Sequence, residues 1–234
     1  MKIKFHHIII ALLITASGCK KDNYKAPSVT LKGHLTYKGE NINVEANQVP
    51  FDVYQPGFGK TGSIRGYFDQ DGAYSLLLFN GSYKFTMPAN QGPFLWKELG
   101  GSKRDTLNIN LSGPQTLDIE VTPFYMLRNP QFTTAGGKVN ATFNIEKVVN
   151  DANAKDIEAV TLYIGKTAFV SENGDQNKAK TELAGSAITS MNNIAMSVNI
   201  PTLVPTQNYV FARLGIKIAG VEDRIYSPIV KVSF

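Results

Sequence analysis

Residues 69–85 read DQDGAYSLLLFNGSYKF, and this stretch decides the fold class. Apolar side chains recur at every second position on both sides of Asn80-Gly81, which is the period of a half-buried β-strand. Asn and Gly tolerate the positive φ angles of a tight type I′ turn. The stretch therefore predicts two strands that are joined as a hairpin, preceded by a turn at Asp69–Gly72.

The same two-residue period continues in both directions along the chain. Residues 28–122 hold about seven such segments between clusters of Gly, Asn, Asp and Pro, which predicts one antiparallel β-sandwich. A second set of alternating segments predicts another all-β domain over residues 131–234. Because proline cannot donate to a strand ladder, Pro123 and Pro130 suggest a linker over 123–130. The expected fold class is all-β, with two antiparallel β-sandwich domains in tandem, each with its own core.

Residues 1–18 have the pattern of a bacterial signal peptide. A basic start at Lys2 and Lys4 precedes an apolar run that is far shorter than the ~20 residues of a membrane span. Small residues then lead to Cys19, the only cysteine, in a pattern that resembles the lipobox of bacterial lipoproteins. We expect Cys19 to be acylated, residues 19–27 to form a lipidated tether, and the lipid to hold the chain on a bilayer. The alternative is a secretory leader with an incidental cysteine.

Few side chains remain for catalysis or metal binding in the mature chain. His34 is its single histidine, so a triad with a His base and a metal site of His and Cys lack residues. Asp118 and Glu120 lie two residues apart on one face of a predicted strand. This placement is typical of a solvent-exposed strand face, and it would also suit the two carboxylates of a glycoside hydrolase. The net charge of the full sequence, +5, is scattered along the chain, which gives nucleic-acid binding no support. We expect a non-enzymatic protein without metal or other cofactor.

The only tryptophan, Trp96, lies in a long segment that has no clear period, residues 90–106. Loops beyond ~12–15 residues are uncommon in compact domains unless they are functional or disordered. In one interpretation, Trp96 or Phe94 packs over a sandwich end or into the domain interface, with part of the indole exposed. In the other, Trp96 and Phe94 bind a sugar ring. The polar residues that would then serve the sugar hydroxyls are Lys97, Glu98, Lys103 and Arg104. Packing is favoured, because bulky aromatic side chains are more often structural.

Several motifs together resemble known families. The residues Asp71-Gly72-Ala73-Tyr74 and Gly81-Ser82-Tyr83-Lys84-Phe85 match a turn and a strand of the carboxypeptidase-regulatory-like (transthyretin-like) sandwich. GPFLWKELG (residues 92–100) and FARLGIKIAGVEDRIYSPIVKV (residues 211–232) add a further resemblance. Together with the lipobox, they resemble a two-domain family of Bacteroidetes lipoproteins of unknown function. We expect the second sandwich to be immunoglobulin- or fibronectin-like.

This resemblance implies an accessory lipoprotein of outer-membrane glycan-utilisation systems. The family has no agreed catalytic residues, so none can be transferred to this chain. The implied partners are the bilayer, through acylated Cys19, and either a glycan or an outer-membrane receptor with its lipoprotein partners. Lys20-Lys21-Asp22 is partly like the acidic surface-export signal of such proteins, which favours the cell surface. Two functions stay open: glycan binding, and a structural or protein-interaction role without glycan affinity.

Overall fold

A computed structural model describes residues 25–57, 62–97 and 105–234 of the chain. It confirms the all-β fold class and the two-domain architecture. The predicted signal peptide, Cys19 and the first part of the tether lie outside these ranges. Within them, no helix has the length and apolar character needed to cross a membrane.

The first domain consists of short strands in two main sheets. Strand β1 is the centre of one sheet, where it pairs antiparallel with β2 and β5 and parallel with β9 and β10. The other sheet is antiparallel, in the order β4-β3-β6-β8. The strands are β1 (Val29–Tyr37), β2 (Glu40–Asn41), β3 (Pro50–Tyr54), β4 (Ile64–Tyr67), β5 (Ala73–Leu78), β6 (Gly81–Thr86), β7 (Phe94–Leu95), β8 (Leu107–Leu111), β9 (Gln115–Thr116), β10 (Ile119–Glu120) and β11 (Thr122–Pro123).

An aromatic cluster fills the space between these two sheets. The Phe51 ring centroid lies 5.0 Å from those of Phe68 and Phe85 and 5.3 Å from that of Tyr74. Aromatic pairs at this separation add to the stabilisation that burial of their area already provides. Tyr74 of β5 and Phe85 of β6 belong to the alternating stretch at residues 69–85, which thus contributes an inward ring to each sheet.

The predicted hairpin at Asn80-Gly81 is wrong, although both strands form. Strand β5 pairs with β1 in one sheet, whereas β6 pairs with β3 and β8 in the other. Gly81 has a φ of 151°, and the Tyr83 hydroxyl donates to the Phe79 carbonyl at 2.9 Å across the turn. The turn therefore carries the chain from one sheet to the other, and turn chemistry alone does not distinguish this from a hairpin.

The second domain is also a sandwich of two sheets. One has the strand order β12-β13-β16, and the other β15-β14-β17-β18, with β19 beside β17. The elements are β12 (Tyr125–Ala135), β13 (Lys138–Lys147), β14 (Ile157–Gly165), β15 (Ala179–Ala184), a 3-10 turn (Gly185–Ala187), β16 (Ile194–Asn199), β17 (Tyr209–Ile218), β18 (Ile225–Tyr226) and β19 (Val230–Ser233).

The predicted linker over residues 123–130 is mostly strand. Strand β12 begins at Tyr125, which pairs with Lys147, so the second domain begins before residue 131. Its register with β13 shifts between Arg128 and Gln131, and Asn129 has a φ of 51°. This irregularity accommodates Pro130, since a proline in a paired strand is tolerated at a bulge.

The two domains do not have the separate cores that the sequence pattern suggested. Buried apolar side chains form one continuous cluster from Val29 in the first domain to Val232 in the second. A short sheet at the junction, in which β11 pairs with β7, ties residues 122–123 back to the segment before Trp96. The domains therefore pack as one body.

Arg213, on β17, lies in the interface and is only 1% exposed. Its Nη2 donates to the carbonyls of Val44 (3.1 Å) and Gln70 (2.7 Å), both in the first domain. In the second domain, Nε donates to the Ser227 carbonyl at 2.9 Å and Nη1 to that of Val170 at 3.3 Å. One guanidinium thus joins four backbone acceptors from two domains.

Tyr226, on β18, supports the guanidinium and extends the interface. The Arg213 Cζ atom lies 4.2 Å from the centroid of the Tyr226 ring, within the range of a cation–π contact. The Tyr226 hydroxyl donates to Glu45 Oε2 at 3.1 Å, and the Ser171 hydroxyl donates to Glu45 Oε1 at 2.7 Å. Glu45 of the first domain is therefore held by two hydroxyls of the second.

Candidate functional site

Trp96 is part of the core rather than an exposed platform. Its side chain is 5% exposed, and its ring meets that of Phe85 edge-on at 6.2 Å between centroids. Phe94 is 2% exposed and belongs to β7, which pairs with β11. The favoured packing interpretation agrees with this placement, but the partly exposed indole that it included is not found. Neither aromatic face is available to a sugar ring.

Of the four polar neighbours proposed for the same site, the structure describes Lys97 alone. Lys97 is exposed, and its backbone carbonyl accepts a hydrogen bond from the Asp105 amide at 3.0 Å. Glu98, Lys103 and Arg104 lie outside the described residues. The described part of the segment is therefore structural.

A hydrogen bond between Gly92 and Asp223 holds the Trp96 segment against the second domain. The Gly92 amide donates to Asp223 Oδ2 at 2.7 Å, and the Phe124 amide donates to the Pro93 carbonyl at 3.2 Å. Burial raises the pKa of the Asp223 carboxyl, since desolvation disfavours its charged form. The segments GPFLWKELG and FARLGIKIAGVEDRIYSPIVKV thus meet at the domain interface.

Asp118 and Glu120 are used to hold strand β1. Asp118 Oδ1 accepts a hydrogen bond from the His34 amide at 2.9 Å. Glu120 accepts from the Thr36 hydroxyl at 3.0 Å and from the Lys38 amide at 2.7 Å. Such bonds satisfy the strand's polar groups and explain why both carboxylates share one face. Across the described ranges, no cluster of three or more His, Cys, Asp or Glu is placed to hold a metal ion.

A groove of about 390 Å³ lies on the outer face of the β1 sheet. Lys32 of β1 pairs directly with Ser75 of β5 on one side and with Thr116 of β9 on the other. Neighbouring strands are about 4.8 Å apart, so these three side chains form a polar row across the sheet. His34, two residues after Lys32, extends the same face.

Gly33 allows the chain to cross close to this groove. A Cβ atom at this position would lie 2.0 Å from the Leu117 carbonyl oxygen, far inside any allowed contact. Only glycine therefore lets the connection between β9 and β10 pack against β1 and place Thr116 beside Lys32. The groove floor depends on this close approach.

Tyr67, at the end of edge strand β4, forms the aromatic wall of the groove and is 45% exposed. Sequence reasoning missed it. The available signal was the pair Tyr67-Phe68, because neighbouring strand residues point to opposite faces and Phe68 fills the core. Since Phe68, the residue directly after β4, is buried, the preceding Tyr67 faces outward.

Two acidic groups next to Tyr67 are held by local bonds. Arg65 makes a two-pronged contact with Asp52, with Nε to Oδ1 and Nη2 to Oδ2 both at 3.0 Å. These hydrogen bonds lower the pKa of the Asp52 carboxyl. Asp69 Oδ1 accepts from the amides of Asp71 (2.9 Å) and Ala73 (2.8 Å). The two groups fix β4 and its following turn, and so position Tyr67.

The burial of Trp96 generates a stability prediction. We expect Trp96→Ala to destabilise the chain by about 3–5 kcal/mol, because it leaves a large cavity beside Phe85. The control, Lys97→Ala, changes an exposed neighbour and should stay within about 0.5 kcal/mol of the unmodified chain. Urea unfolding followed by circular dichroism measures both variants. Equal midpoints for Trp96→Ala and the unmodified chain would contradict the core assignment.

Comparisons with known proteins agree with this architecture. Residues 29–122 match the model described as "Protein of unknown function (DUF3823) N-terminal domain". Residues 125–231 match the model "Domain of unknown function (DUF3823_C)". The boundary between the two models coincides with the β11–β12 junction. A search of curated proteins found no match.

Solved structures with the same two-domain fold come from Bacteroides and Parabacteroides species. A DUF3823 family protein from Bacteroides ovatus is 34% identical, with a TM-score of 0.76, and the match covers 88% of this chain and 99% of that one. One from Parabacteroides merdae is 29% identical, with a TM-score of 0.76 and coverage of 89% and 100%. A third, from Bacteroides uniformis, is described as "a putative carbohydrate binding protein"; it is 18% identical, with a TM-score of 0.68 and coverage of 89% and 100%. The chain therefore belongs to the DUF3823 family, with that family's N-terminal and C-terminal domains joined directly at the β11–β12 junction.

Proposed function

We propose that this chain is a non-catalytic lipoprotein that binds a carbohydrate at the Tyr67 groove. In this proposal, acylated Cys19 anchors it to the outer membrane, where it serves a polysaccharide-utilisation complex as an accessory. The observation that carries the proposal is the exposed aromatic ring of Tyr67 beside a row of polar side chains. Binding sites typically combine an apolar surface with a few placed polar groups.

The chemistry of the groove suits a sugar. A pyranose ring presents C–H bonds on one face, and these pack against the electron-rich face of an aromatic ring such as Tyr67. Ser75 and Thr116 can donate and accept hydrogen bonds, whereas the Lys32 ammonium only donates. These three side chains lie in one row at strand spacing, which matches a ligand with several hydroxyls along one edge.

A relative of known structure supports the class of ligand in this proposal, a carbohydrate. The B. uniformis protein described in carbohydrate-binding terms shares the fold of both domains. The location of the groove rests on the geometry around Tyr67.

The groove generates a binding prediction. We expect at least one polysaccharide to retard the chain in affinity gel electrophoresis, and Tyr67→Ala to weaken that binding by roughly tenfold or more, about 1.4 kcal/mol. Tyr54→Ala is the matched control, since Tyr54 is also a half-exposed tyrosine of the same sheet but does not line the groove. Loss of binding in both variants, or in neither, would place the glycan elsewhere.

A second candidate function is a structural or protein-interaction lipoprotein. Its support is the exposure of large apolar side chains in the second domain. Phe169, Val204 and Phe234 are 55%, 81% and 50% exposed. Exposed apolar patches mark sites of protein contact. Absence of retardation with every polysaccharide in the panel, while the chain stays folded, would favour this function.

We also propose that the anchored chain faces the cell surface. If it does, proteinase K added to intact cells should remove the protein, while a periplasmic marker stays intact. A periplasmic orientation predicts the opposite, with cleavage only after the outer membrane is permeabilised. Immunoblotting before and after permeabilisation distinguishes the two orientations.

A further inference from the structure

The strand directions place the tether and the second domain at opposite ends of the first sandwich. Strand β1 begins at Val29, directly after the tether, and its partner β5 ends there, since Val29 pairs with Leu78. At the other end, the turn after β4 supplies the Gln70 carbonyl that Arg213 binds. We call the first of these the tether end; it comprises residues 25–28, 54–57, 62–64, 77–84 and 110–115 of the described chain.

The tether end exposes apolar side chains. Leu77 is 60% exposed, and Ile64 and Tyr54 are each 43% exposed. A hollow of about 240 Å³ between the two sheets opens beside them, lined by Pro27, Leu77 and Tyr83 among others. This apolar surface therefore begins at the residues that follow the tether.

The charges at the tether end all have one sign. Lys25 is exposed beside Pro27, and exposed Lys84 pairs with Tyr54 across β3 and β6. None of the described residues of the tether end is Asp or Glu. An apolar centre with a basic rim and an aromatic residue is the pattern that binds the interface of a bilayer with anionic headgroups.

We infer that the tether end docks on the anionic lipid surface of the membrane leaflet in which the lipid anchor is inserted. This inference rests on the proposed acylation of Cys19. The chain between Cys19 and Pro27 spans at most about 28 Å when extended, so the anchor keeps this end next to the headgroups. Leu77, Ile64 and Tyr54 then enter the interface, and the second domain points away from the membrane. The lipid alone does not fix orientation; the docked surface does.

Site-directed spin labelling of the full mature, lipidated chain tests the inference. The chain is reconstituted on vesicles of phosphatidylethanolamine and phosphatidylglycerol, and a nitroxide is attached through Leu77→Cys. The control label is Val204→Cys, at an exposed position in the second domain. Collision rates are measured with oxygen, which concentrates in the bilayer, and with a water-soluble nickel chelate.

We expect the nickel chelate to collide several-fold less often with the Leu77 label than with the Val204 label, and oxygen to collide more often with it. The two labels should be equally accessible in detergent-free solution of the Cys19→Ala chain. Flotation with the vesicles but equal accessibility of both labels would overturn the docking and leave the anchor intact. Failure of the unlabelled chain to float would refute the anchor, and this inference with it.

Discussion

The buried guanidinium of Arg213 is the constraint on which the arrangement of the two domains depends. Burial lowers its pKa to about 10, so the group still carries its charge at neutral pH. Removing a charge from water is costly unless its donors are satisfied, and here carbonyls of both domains satisfy them. The planar fork of arginine is suited to several acceptors at fixed angles, which a lysine does not match. Neither domain alone supplies all of these acceptors.

The sequence segments on which the family resemblance rests all contribute to this interface. The turn at residues 69–72 supplies the Gln70 carbonyl, GPFLWKELG supplies the Gly92 amide, and the closing segment supplies Arg213 and Asp223. The segments are far apart along the chain and meet at one interface. Their chemistry is that of domain packing, and the groove for which we propose carbohydrate binding lies on a different surface, around Tyr67.

Period-two alternation predicted most strands and the all-β class, because it reports which side chains face the core. It could not assign strands to sheets, so Asn80-Gly81 was interpreted as a hairpin, and Pro130 as part of a linker. Arg213 alternates with apolar residues as a solvated residue does, yet Tyr226 and the first domain together bury it. Trp96 was correctly favoured as a packing residue, whereas Tyr67 was missed because its partners come from β1, β5 and β9. Local sequence patterns do not record contacts between segments that are far apart along the chain.

The central claim is that the two sandwiches form one cooperative unit joined through Arg213. Differential scanning calorimetry of the chain without residues 1–18 and with Cys19→Ala, which removes the proposed acylation site, tests this most directly. The account predicts a single transition whose calorimetric and van't Hoff enthalpies agree. It also predicts that Arg213→Met destabilises the whole transition by about 3–5 kcal/mol, because carbonyls at the interface lose their donor. Lys138→Met, at an exposed hairpin position, should leave the transition unchanged. Two separate transitions in the chain that retains Arg213, or an Arg213→Met variant as stable as that chain, would contradict the claim.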